Sequence, residues 1–79
     1  MIKYPVVEVI WQDSSGWDGW HDMESGKEYS PISITSTGYL VKKTSKYINI
    51  VGSIDDQRNP KVDRQLCIPA KCIKSIRKL

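Results

Sequence analysis

Three tryptophans, Trp11, Trp17 and Trp20, fall within ten positions of a chain that has no phenylalanine, in the segment WQDSSGWDGWHD. Indoles offer flat apolar faces and one N–H donor each, and the serines, aspartates and glycines between them let a backbone approach a ligand closely. The combination suits stacking of a base or nicotinamide-like ring, worth about 1–3 kcal/mol per ring. Trp11 has a second reading as core, because it continues the face of Val7 and Val9. Trp17 and Trp20 either line a pocket or cap the core beneath their loop. Asp13, Ser14 and Ser36 supply oxygens for ribose or amide hydrogen bonds, and Tyr39 sits at a bend beside Gly38. Lys42, Lys74 and Arg77 supply cations for phosphate, in two clusters that also read as ordinary solubility devices on hairpin tips and edge strands.

The remaining candidates for chemistry do not assemble. His21 lies between Trp20 and Asp22, but neighbours on an extended segment point apart and no nucleophile accompanies them. Asp13, Ser14 and Ser15 resemble pieces of a triad and read as turn formers. There is no phosphate-cradling glycine loop, paired-cysteine motif or metal-binding helix. Cys67, Cys72 and the single His21 cannot make a four-ligand zinc site, and the cysteines read as reduced, small apolar residues. The expectation is a binding protein and not an enzyme, with no metal and no cofactor.

These residues must be positioned by a very small framework. Seventy-nine residues suffice for one domain spanning 1–79. Such a domain has a thin core, and a second subunit is the supplement left once disulfide and metal are set aside. Charge is uneven along the chain. Residues 1–30 carry two lysines against six acids (net −4), 31–60 four bases against two acids (net +2), and 61–79 six bases against Asp63 (net +5), giving +3 overall. No apolar run approaches the roughly 20 residues that cross a bilayer, and MIKYPVVEVIWQ has no signal-peptide core, so a cytoplasmic protein is expected.

Period-two alternation marks the elements. Val7, Val9 and Trp11 define a first strand, followed by the long loop DSSGWDGWHDMESGKEYSP with room for one helical turn. A second strand from Ile32 to Lys43 bends at Gly38, and KYINIVGS pairs with it as a hairpin whose turn lacks the usual Asn-Gly. After the IDDQRNPK loop, Val62, Arg64, Leu66 and Ile68 alternate in a fourth strand that Pro69 terminates. Ile73, Ile76 and Leu79, spaced by three, fit either a helical turn or a last strand at about Cys72 to Arg77. The fold class is mainly β: a small, strongly bent antiparallel sheet or SH3-like partly closed barrel of four to five strands.

The order W-Q-D-S, then G-W, S-T-G-Y-L-V and C-I-P-A-K-C-I-K-S-I, spanning Val7 to Leu79, resembles short proteins encoded by tailed bacteriophages. The resemblance implies a small β-rich fold. Phage proteins of this size often bind and block one host component, and one class sequesters the nucleotide second messengers of bacterial immunity, ADP-ribose derivatives or cyclic nucleotides. By that resemblance the chain is expected to act as a nucleotide-sequestering protein in the host cytoplasm, as a homodimer that builds a pocket from two thin domains. A nucleic-acid-binding small barrel is the alternative, suggested by a pI near 9.0, although the tryptophans lie in the acidic third. A third reading is an adaptor that uses the tryptophans as anchors on a host protein.

Overall fold

A computed structural model describes residues 3–16 and 18–79. Five strands form one antiparallel sheet: β1 (Val6–Asp13), β2 (Ile32–Lys43), β3 (Tyr47–Asp55), β4 (Lys61–Pro69) and β5 (Ile73–Lys78), in the order β4-β3-β2-β1-β5. The protein is mainly β as the alternation requires, and the sheet curls without closing into a barrel. One short helix, α1 (Met23–Lys27), lies in the long β1–β2 connection, and a 3-10 turn (Ala70–Cys72) joins β4 to β5.

The core lies on one face of the sheet. Val7 and Val9 from β1, Ile48 and Ile50 from β3 and Ile68 from β4 are buried together, with Trp11, Leu40, Leu66, Cys72, Ile73 and Ile76 packed around them. Each buried aliphatic side chain contributes about 1.5–3 kcal/mol, and β-branched residues suit the pleated surface. The three-residue spacing of Ile73 and Ile76 is resolved by a bulge. Ile10 pairs with Ser75 and Trp11 with Ile73, so Lys74 is an extra residue and both isoleucines return to the core face of a strand.

The β2–β3 turn works without Asn-Gly because Thr44 replaces that chemistry. Its Oγ1 accepts from the Lys46 and Tyr47 amides at 3.1 and 3.0 Å, while its own amide donates to the Tyr47 carbonyl at 2.8 Å. Pro69 ends β4, and the next amide, Ala70, donates to the Lys46 carbonyl at 2.8 Å, fixing the 3-10 turn to the hairpin.

β2 and β3 do not stay together. They pair from Tyr39 opposite Val51 to Lys43 opposite Ile48; below that point β2 pairs only with β1, down to Ile32, and β3 only with β4, out to Asp55 opposite Lys61. The sheet therefore splits into two wings, β3 with β4 on one side and β2 with β1 on the other, the latter backed by β5 from Val7 to Trp11. The chain measures 55 × 23 × 21 Å, and its 16.4 Å radius of gyration exceeds the about 12 Å of a compact chain this long.

Two side chains outside the core give stability predictions. The Oδ1 atom of Asn49 is buried with no hydrogen-bond partner among the described residues, which costs about 1–3 kcal/mol. Asn49→Val is expected to raise stability by about 1 kcal/mol, seen as a melting temperature about 4–8 °C higher. The second is the ion pair between Arg77 Nε and Glu8 Oε1 at 2.8 Å, which links the first and last strands. The Arg77 hydrogen bond holds the Glu8 carboxyl below its ordinary range. The pair's contribution is therefore complete at neutral pH and is lost as pH falls through that lowered value. Glu8→Gln is expected to lower the urea midpoint at pH 7, with the gap to wild type narrowing as the pH is taken below the ordinary carboxylate range.

Candidate functional site

The fork between the wings is where the sequence leaves room. Along the inward-facing positions the apolar series is interrupted: β2 places Ser36 and Gly38 between Ile34 and Leu40, and β3 places Gly52 between Ile50 and Ile54. Small residues on both sides of the split leave a cleft of about 480 Å³, lined by Ser36, Thr37, Ile50, Val51, Gly52, Arg64 and Leu66. Ligand cavities commonly span about 300–1,000 Å³. The facing edges of β2 and β3 have no ladder partner here, so backbone N–H and C=O groups are part of its walls.

Arg64 is the cleft's charged residue. It stands in β4 at a φ of 55°, the left-handed region, where an L side chain costs about 1–2 kcal/mol. Three contacts hold it there. Its amide donates to Asp63 Oδ1 at 2.8 Å, its Nη2 donates to Ser53 Oγ at 3.0 Å, and its side chain lies over Gly52, where a methyl group would come within 2.9 Å of Nε. Strain of this kind persists only where surrounding structure over-determines it, and it clusters at binding sites. A guanidinium beside an apolar wall of Ile50 and Leu66 offers paired donors to a carboxylate or phosphate.

Ser36 joins the cleft through its neighbour. Trp11 Nε1 donates to Ser36 Oγ at 3.0 Å, which leaves the hydroxyl proton able to donate to a ligand. Trp11 is a half-buried wall of the core that orients Ser36, in keeping with its place on the Val7 and Val9 face.

The other expected residues lie elsewhere. Trp20 is fully exposed and neither lines the cleft nor caps the core, because the connection that carries it projects away from the sheet with every residue from 18 to 31 exposed. Trp17 lies outside the described residues. A pocket walled jointly by the tryptophans is thus not formed by Trp11 and Trp20. Asp13 accepts the Ser14 amide at 2.8 Å, a local turn contact at the exposed end of β1. Tyr39 is half-buried where β2 meets β3, on the face opposite Ser36. Lys42 lies 5.5 Å from the centre of the Tyr47 ring, Lys74 is the exposed bulge residue, and Arg77 pairs with Glu8. Of the lysine and arginine rim expected around the tryptophans, only Lys74 lies beside Trp11, while Lys42 and Arg77 are toward the opposite end of β1. Arg64, Thr37 and Gly52 were not anticipated as site residues. The signal was present in the alternation, where Arg64 is a lone charge on the Val62, Leu66 and Ile68 face.

Among the described residues, no three His, Cys, Asp or Glu side chains converge as a metal site would require. Cys67 and Cys72 are both free thiols. No described helix is long and apolar enough to cross a membrane. Comparison with family models, curated proteins and solved structures returns no match to this chain.

Proposed function

We propose that this chain is a non-catalytic binding module that sequesters a nucleotide-class ligand in the fork between its wings. The observation that carries the reading is Arg64, held in a strained backbone conformation with its guanidinium at a cleft that also holds the Ser36 hydroxyl and an apolar wall. A phosphate would meet Arg64, a sugar hydroxyl would meet Ser36, and a base would lie on Ile50 and Leu66. Among the described residues the lining carries no carboxylate, imidazole or thiol, and that favours holding a ligand over transforming one. The resemblance to small phage proteins makes a nucleotide signal of bacterial immunity, an ADP-ribose derivative or a cyclic nucleotide, the preferred ligand.

Calorimetric titration with ADP-ribose, cyclic ADP-ribose and cyclic dinucleotides tests the proposal. A one-to-one complex with at least one of them, recovered unchanged after denaturation, is the expected result; silence across the panel removes the reading. The unpaired strand edges favour a second reading, an extended peptide added between β2 and β3 with an acidic residue on Arg64. That adaptor would bind acidic peptides in the same titration and ignore the nucleotides.

A further inference from the structure

The 18–31 arm and the opposite end of the sheet complement each other. The arm is ordered from within: Ser15 Oγ donates to the Ser30 carbonyl at 2.6 Å to close its neck, Ser25 Oγ donates to Asp22 Oδ2 at 2.9 Å, and the His21 and Tyr29 rings stack at 5.8 Å. Yet it presents Trp20, Met23 and Tyr29 to solvent, amid four acids and a single lysine. At the far end of β1, Val7, Leu40 and Ile76 form a smaller cleft of about 210 Å³, rimmed by Lys43, Arg77 and Lys78. One molecule thus carries an unpartnered tryptophan flanked by negative charge, and an apolar cleft flanked by positive charge.

The two cannot meet within one chain. β1 separates them by its eight residues, about 26 Å, and the arm is folded on itself at the other end. We propose that two copies lie side by side in opposite directions, each inserting Trp20 into the Val7–Leu40–Ile76 cleft of the other. Asp18 and the neighbouring acids of the arm then face Lys43 and Lys78, while Arg77 stays with Glu8. Reciprocal exchange makes a closed dimer with twofold symmetry, and an indole in a desolvated pocket ringed by charge is the usual anchor of such contacts. The inference is independent of the ligand reading, since it uses neither Arg64 nor the fork.

Sedimentation equilibrium tests it. Wild type is expected at twice the 9.0 kDa chain mass at micromolar concentration, dissociating as salt rises to 1 M. Trp20→Ala, whose side chain touches no core, should be a monomer with an unchanged circular dichroism spectrum. Asp18→Lys with Glu28→Lys should also give a monomer, and adding Lys43→Glu and Lys78→Glu in the same chain should restore the dimer. A wild-type monomer at 100 µM, a dimer indifferent to Trp20→Ala, or assemblies that keep growing with concentration would each overturn the exchange.

Discussion

Arg64→Ala is expected to weaken binding of a phosphate-bearing ligand by about 2–3 kcal/mol, roughly 100-fold in Kd, because it removes paired charged donors from a partly enclosed cleft. Arg64→Gly should weaken binding to the same degree with a different effect on folding. Alanine inherits the positive φ and its cost, whereas glycine adopts that conformation freely. The glycine variant should therefore unfold about 1 kcal/mol later than the alanine variant, and both measurements follow from parallel calorimetry and urea titration. Equal stability of the two variants would mean that the arginine backbone is not strained. Unchanged affinity would move the ligand out of the fork.

Gly38→Ala carries the largest expected effect on folding. Gly38 is buried where β2 and β3 begin to separate, and a methyl group there would stand 2.7 Å from the Val51 carbonyl oxygen and 3.3 Å from its carbon. Those atoms are backbone inside the β3 ladder, so they cannot move without disturbing the paired strands. The cost is expected at about 2–3 kcal/mol, from overpacking and not from a change of φ. A chain of this length is stable by only about 4–12 kcal/mol, so a melting temperature lower by about 10–20 °C should follow. Gly52→Ala is the instructive contrast. The nearest atom it would meet, Arg64 Nε at 2.9 Å, can lift away, while Arg64 Cβ at 3.2 Å is fixed to its backbone and must give by a few tenths of an ångström. Stability should therefore fall by about 1 kcal/mol, less than for Gly38→Ala, while ligand affinity drops.

The framework was largely legible in the residues because alternation reports burial directly. Val7, Val9, Ile48, Ile50 and Ile68 are the core that a period of two predicts, and Pro69 stops its strand as a missing N–H requires. The last segment was ambiguous for a physical reason: one bulged residue, Lys74, converts strand spacing into the three-residue spacing of a helical turn. The site was legible only in part. Ser36 was named, and Gly38, where a bulge or close backbone approach was expected, lies against the Val51 carbonyl while the bulge itself falls between Leu40 and Lys42. The tryptophan cluster, however, drew attention to the connecting loop, and sequence proximity of Trp11 and Trp20 does not survive folding. One belongs to a strand and the other to a projecting arm. Arg64 was hidden because its importance depends on a split between β2 and β3 that no local pattern encodes. A single arginine on an apolar face, opposite a glycine, is the trace that such a split leaves.

The central claim is that the fork holds the ligand, and amide and indole proton–nitrogen correlation spectra during titration with ADP-ribose test it most directly. The account predicts shifts concentrated on the Trp11 indole N–H, the amides of Ser36, Thr37 and Gly52, and the Arg64 Nε–H. Shifts confined to the Trp20 indole, or to Lys42 and Arg77 toward the other end of β1, would contradict it.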